Sequence, residues 1–179
     1  MIKILLKHIS FSTKIIATTG YTSRELNQIR NEFNLNKGKC FYLVGGMGHA
    51  TAVSLGVALN TNKKVVCLDG DGSFLMHLGS AGTIAQYAKK NYKYILLNNG
   101  CHESVGGQPT IASNINIKKL SNSFGYKNYY LLSKESHIKT TLNKFLNSNG
   151  PSFLEVKIKK SSLSNILRIK NLSKIRKKF

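Results

Sequence analysis

Acidic residues are scarce in this chain. Seven aspartates and glutamates face 27 lysines and arginines, for a formal charge of +20. Such a balance usually points to nucleic acid. Here the excess is mostly lysine, scattered along the chain rather than gathered into arginine-rich patches that read bases and phosphates, so nucleic acid is not the expected partner. Prolines number two and tryptophan is missing, which excludes a proline-rich linker or recognition arm. No apolar run approaches the roughly 18 residues that span a bilayer, and no membrane partner is expected. The N-terminal stretch is basic, but Lys7 interrupts it too early for the apolar core of a signal peptide, and no small-residue cleavage site follows. A cytoplasmic protein is the expectation. The three cysteines, Cys40, Cys67 and Cys101, form no CxxC pair. That excludes a zinc ribbon and a disulfide framework, and Cys40 and Cys67 read as small core residues.

Hydrophobic residues make up 41% of the 179 positions, ordinary for one soluble domain. Their spacing alternates between two periods. Strands are expected over 14–18, 41–45, 64–68, 92–97, 127–132 and 152–158, and helices over 22–32, 48–60, 77–90, 117–124 and 133–147. The first of these helices has Thr22 or Ser23 as a cap, with Glu25 placed for a capping box. The run at 64–68 is apolar throughout, as a strand buried on both faces requires. Strands alternating with helices predict an α/β fold, doubly wound around a parallel sheet, with ligands at the C-terminal ends of the strands. The expected division is an N-terminal extension over 1–13, a domain over 14–160 and a basic tail over 161–179. From Lys157 onward every charged side chain is basic, and Leu163, Ile166, Leu167, Leu172 and Ile175 roughly keep helical spacing. The tail reads either as a basic amphipathic helix that meets a partner or as a solvated extension.

The chemistry concentrates in two segments, CLDGDGSFLMHLG at 67–79 and ILLNNGCHESVGGQPT at 95–110. Both aspartates of the chain, Asp69 and Asp71, leave the apolar strand at 64–68. Gly70 and Gly72 let the backbone turn and approach a ligand closely, and Ser73 adds a hydroxyl. Asn98 and Asn99 leave the next strand, one helix and one strand further on. A carboxylate and an amide oxygen on neighbouring strand exits suit a hard divalent cation that keeps phosphate and water ligands. Thr18 and Thr19 leave the first strand ahead of a helix, where hydroxyls and amides either hold a phosphate or simply cap the helix.

The GDG turn followed at this distance by NN resembles the cofactor motif of thiamine diphosphate (ThDP) enzymes. The resemblance runs from about residue 16 to 108, more loosely to 158. Its TGYTSREL, GGMGHA, LDGDGSFLMHLGS and NNGCHESVGGQPT segments are similar to the 2-oxo acid decarboxylases, phosphonopyruvate decarboxylases first and sulfopyruvate decarboxylases next. The resemblance implies that Asp71, Asn99 and the main-chain oxygen of Cys101 ligate Mg2+, and that Gly70, Gly72 and Ser73 meet the diphosphate with Thr18 and Thr19. It further implies that Met47, within Gly45-Gly46-Met47-Gly48, props the cofactor into a bent shape while the Gly45 carbonyl takes its aminopyrimidine hydrogen bond. Met47 also reads as ordinary core. His102 and Glu103 are the catalytic candidates, against the plainer reading that they only order their loop; the amides of Gly106 and Gly107 are candidates for closing over an anion.

The family's remaining essential part is a glutamate from a pyrimidine-binding domain. That domain needs about 150 further residues, so the resemblance implies a partner subunit, a hetero-oligomer and a 2-oxo acid substrate. Two alternatives stay open on the sequence: another ThDP enzyme half, such as a sulfopyruvate decarboxylase beta subunit, and a non-enzymatic remnant or basic binding module.

Overall fold

In the computed structural model, which describes residues 1–161 and 165–179, strands and helices alternate along the chain. The order is α1 (Ile2–His8), β1 (Lys14–Ala17), α2 (Tyr21–Glu32), β2 (Lys39–Tyr42), α3 (Ala50–Leu59), β3 (Val65–Gly70), α4 (Asp71–Met76) and α5 (Leu78–Tyr87). It continues with β4 (Tyr92–Asn98), α6 (Ile117–Phe124), β5 (Asn128–Leu132), α7 (Ile138–Asn147), β6 (Ser152–Lys157) and α8 (Leu172–Lys178). The strands form one sheet in the order β2-β1-β3-β4-β6-β5, and every pairing is parallel. This is the doubly wound arrangement expected from the alternation.

Successive strand residues point to opposite faces, and both faces are covered. One apolar layer joins Ile15, Val66, Leu68, Ile95 and Leu154 to α1, α2 and α7. The other joins Ile16, Val65, Cys67, Tyr94, Leu96 and Phe153 to α3, α4, α5 and α6. The central strand β4 is buried along its whole length. Cys40 and Cys67 are buried free thiols in β2 and β3, as their setting predicted, and Cys101 is also free and buried. Among the described residues, no helix is long and apolar enough to cross a membrane.

Several local expectations are corrected. The first 13 residues contain α1, whose Ile2, Leu5 and Leu6, followed by Ile9, are buried; the lysines between them masked a helical spacing. Helix α2 starts at Tyr21 on a Gly20 cap, without a side-chain cap bond. The Ser23 hydroxyl instead donates to the Gly20 carbonyl at 3.2 Å, and no capping box forms. Strand β2 ends at Tyr42 rather than 45 because Gly45, Gly46 and Gly48 take φ of 76°, 59° and 85°, left-handed values that break an extended run. The helix expected over 77–90 is α5, shortened to Leu78–Tyr87, and a separate short helix that was not expected, α4, ends just before His77. The helix expected from 133 begins at Ile138, after a 3₁₀ turn at Glu135–His137. In the tail, Leu163 lies outside the described residues. The helix there spans Leu172–Lys178 and packs on edge strand β2, with the Phe179 ring 5.6 Å from that of Phe41.

One buried cation lies near the start of the central strand. Lys93 in β4 is 1% exposed. Its ammonium donates to the Ser148 carbonyl and to the hydroxyls of Ser148 at 3.1 Å and Ser152 at 3.3 Å. Burial, helped by Lys64, lowers its pKa from 10.5 to about 8. Between those values the unfolded chain holds a proton the folded chain has released, so this group makes stability rise with pH across that window. Denaturant titrations at pH 8 and pH 10 are expected to show wild type gaining stability relative to K93M as pH rises.

Candidate functional site

The site forms where the exits of β1, β3 and β4 meet. The chain leaves β1 towards β2 on one side and returns to β3 on the other, the reversal at which open α/β sheets bind ligands. The register sets Gly70 opposite Leu97, so the GDG and NN turns leave the sheet side by side. Between them is a narrow cleft of about 100 Å³, lined by Thr18, Thr19, Met47, Gly70, Asp71, Gly72, Ser73, Asn99, Cys101, His102 and Glu103 among others. Of the residues that the resemblance assigned to metal, cofactor or catalysis, all but Gly45 and Gly46 line it. Gly45 and Gly46 are exposed beside it, tied in where the Gly45 amide donates to the Thr19 hydroxyl at 3.2 Å.

Ser73 joins three segments. Its hydroxyl is 2.8 Å from that of Thr18 and accepts the Gly48 amide at 3.0 Å. One side chain on α4 therefore fixes both the first strand exit and the GGMG turn. Beneath it Asp69 is fully buried and accepts from the Tyr94 hydroxyl at 2.7 Å and the Gly70 amide at 3.0 Å. Burial raises its pKa, and hydrogen bonds from Ser73, Tyr94 and Thr18 work against that rise. Asp69 is a buried anchor one residue short of the cleft.

The asparagine turn is clamped by two glutamates. Asn98 donates to Glu155 at 2.8 Å, and Glu155 also takes the Tyr129 hydroxyl and pairs with Lys157 at 2.6 Å. Asn99 donates to Glu103 at 2.7 Å, and its amide oxygen accepts the Cys101 N–H at 3.1 Å. From Gly100 the chain makes a hairpin-like loop, with Cys101 bridged to Pro109. The Thr110 amide donates to the Gly100 carbonyl at 2.9 Å, and the Thr110 hydroxyl donates to Asp71. Thr110 is the functional residue the sequence reading missed. It stood inside a quoted motif, but nothing in its spacing shows that the loop returns to Asp71.

The loop lies over the turns beneath it. A methyl group added to Gly72 would stand 2.4 Å from the His102 imidazole and 3.2 Å from Met47, so these three are in contact. One added to Gly20 would stand 2.8 Å from the Ser104 hydroxyl. The expectation for the Gly106–Gly107 amides is corrected, because the Gly107 N–H donates to the His102 carbonyl at 3.0 Å and holds the loop to itself. His77, read as packing within a helix, sits at the break between α4 and α5, with its ring 4.6 Å from that of His49. Glu25, read as a capping residue, lines the cleft. Its pKa is raised by burial and by the neighbouring Glu103, partly offset by the N-terminal amine.

Asp71 is the side chain that most needs a ligand. It is 2% exposed, and among the described residues only the Thr110 hydroxyl donates to its carboxylate. The single ion pair among them is Lys157 with Glu155. A buried carboxylate with so little compensation is costly, and a cation at this point would offset that cost. Among the described residues no three His, Cys, Asp or Glu side chains converge as a metal cluster. The donors on offer are hard oxygens: one carboxylate, the Asn99 amide oxygen and the Cys101 carbonyl. That set fits Mg2+ completed by phosphate oxygens. A shallower groove of about 460 Å³ lies between Leu43–Gly46 and α8; it holds no carboxylate.

Gly72 tests this packing. Replacing a helical glycine with alanine favours the helix by about 1 kcal/mol, and the clashing atoms belong to a movable imidazole. Gly72→Ala is expected to melt within a few degrees of wild type while displacing His102, seen as a shift of its ring resonances in NMR spectra.

Comparison with known proteins shows the family of the chain. The profile of the thiamine pyrophosphate enzyme, C-terminal TPP binding domain, matches residues 18–156. The chain is 37% identical over 166 residues to a phosphonopyruvate decarboxylase of Streptomyces hygroscopicus, covering 93% of this chain and 40% of that one. It is 35% identical over 145 residues to the sulfopyruvate decarboxylase subunit beta of Methanothermobacter thermautotrophicus, covering 81% and 73% respectively. A solved structure from Mycobacterium smegmatis, described as a thiamin diphosphate-dependent enzyme, superposes with a TM-score of 0.67 at 21% identity, over 87% of this chain and 30% of that one; that likeness supports the fold. The chain spans about two fifths of the phosphonopyruvate decarboxylases it matches. It belongs to the thiamine pyrophosphate enzyme family, as the C-terminal, TPP-binding domain of such an enzyme.

Proposed function

We propose that this chain holds the diphosphate and metal end of ThDP in an enzyme that decarboxylates a small anionic 2-oxo acid. The observation that carries the reading is the buried Asp71 carboxylate beside the Asn99–Cys101 turn, with Thr110 as its single protein donor among the described residues. In this reading Asp71, Asn99 and the Cys101 carbonyl would hold Mg2+. Gly70, Gly72, Ser73, Thr18 and Thr19 would receive the diphosphate, and Gly45, Gly46 and Met47 would meet the organic part of the cofactor. ThDP, when bound, supplies the electron sink that decarboxylation of a 2-oxo acid requires.

His102 is the proposed catalytic side chain, set to meet the substrate or move a proton. The cleft it lines is narrow, about 100 Å³, and its imidazole lies on Gly72. The substrate proposed is 3-phosphonopyruvate, giving phosphonoacetaldehyde and CO2, supported by the likeness to phosphonopyruvate decarboxylase and by the HESVGGQPT run. The pyrimidine-binding part is proposed to come from a partner chain in a hetero-oligomer. Coverage of 73% of a sulfopyruvate decarboxylase beta subunit supports that division, and makes sulfopyruvate the second substrate reading.

Asp71→Asn, in complex with the partner chain, is expected to weaken Mg2+-dependent ThDP uptake by about 100-fold or more, since it replaces the one charged ligand of the set with a neutral amide rather than altering an outer residue; isothermal calorimetry reads this. With its partner chain present, the wild type is expected to release CO2 from phosphonopyruvate faster than from sulfopyruvate. Turnover of neither acid by a complex that has bound the cofactor would remove the decarboxylase reading.

A further inference from the structure

The resemblance made Glu103 a catalytic candidate, but its geometry is that of a residue acting through another. Glu103 accepts the Asn99 side-chain N–H at 2.7 Å, and the Asn99 oxygen accepts the Cys101 N–H at 3.1 Å. The Asn99 amide is therefore held at both ends. A carboxylate can only accept and a backbone N–H can only donate, so the two contacts fix which end carries the oxygen. Rotating the amide by half a turn would set its NH2 against the Cys101 N–H and its oxygen against the carboxylate. A carbonyl oxygen has two lone pairs; the Cys101 N–H takes one and the other is left for a cation.

From this arrangement we infer that Glu103 is a positioning residue, which locks the Asn99 side chain with its oxygen turned to the metal and, through that oxygen, sets the Cys101 turn whose carbonyl is the third ligand. Outer partners of metal ligands do this work widely. The inference rests on the proposed ThDP and Mg2+ site and adds a division of labour within it: His102 faces the substrate, and Glu103 holds a ligand. What Glu103 contributes is an acceptor at a fixed place. Glutamine keeps that acceptor and drops the charge, whereas alanine drops both.

The test titrates the complex of the full chain and its partner chain with ThDP at stepped Mg2+ concentrations in a calorimeter, and records thermal melting beside it. E103A is expected to raise the Mg2+ concentration at half-saturation about 10- to 100-fold, while E103Q stays within about threefold of wild type. Both are expected to melt near wild type. If E103Q loses as much metal affinity as E103A, or if E103A loses none, the positioning role is overturned. Should E103A fail to fold, E103Q decides alone: retained affinity supports the inference and lost affinity overturns it. Absence of Mg2+-dependent uptake by the wild type is a different result, which removes the ThDP reading itself.

Discussion

The hydrogen bond from Thr110 to Asp71 closes the site. It joins the first residue of α4 to the far end of the loop that begins at Asn99, and so makes one cleft from two neighbouring strand exits. It can form only because β3 and β4 are paired in parallel with Gly70 opposite Leu97. A slip of one residue would turn every side chain of β3 to the other face of the sheet. Val66 and Leu68 pack in one layer, Val65 and Cys67 in the other, and Asp69 is bonded to the Tyr94 hydroxyl; a slip would break these particular contacts. Core packing thus sets the register, and the register sets the site.

The few acids of the chain gather around this point. Asp69, Asp71 and Glu155 are buried, Glu25 and Glu103 are partly covered in the cleft, and Glu32 and Glu135 are exposed. Each buried carboxylate is met by donors of a fitting kind: hydroxyls of Tyr94, Tyr129 and Thr110, the amide of Asn98, and for Glu155 an ammonium as well. Asp71 receives the least, a single hydroxyl among the described residues, and the proposed cation site rests on that. The exterior is left strongly cationic, a charge that favours solubility and steers anions without saying which anion is bound.

The loop over 99–110 is held by its own hydrogen bonds. Asn99, Cys101, His102, Gln108 and Thr110 are bonded among themselves and to Gly100 and Asp71, so it folds as a unit. Its His102 ring lies on Gly72 beside Met47, and Ser104 lies on Gly20. Glycine at both places keeps the loop close to the backbone below. Within that unit the bonds that shape the turn also orient the Asn99 and Cys101 oxygens, to which the proposed function assigns the metal.

The alternation of apolar runs determined the α/β class and the parallel sheet, and the GDG and NN turns, with their glycines and their rare aspartates, marked the chemistry. These were legible because they depend on neighbours in sequence: side-chain period, turn residues and strand exits. Helix α1 was hidden by its lysines, β2 was placed two to three residues too far along the chain, and Glu25 was read as a cap although it lines the cleft. Thr110 on Asp71, Glu103 on Asn99 and Glu155 on Asn98 were decided by tertiary structure alone. A sequence records which groups can donate and accept; only the folded backbone brings a donor from one loop within 3 Å or so of an acceptor on another, and those meetings turn a motif into a site.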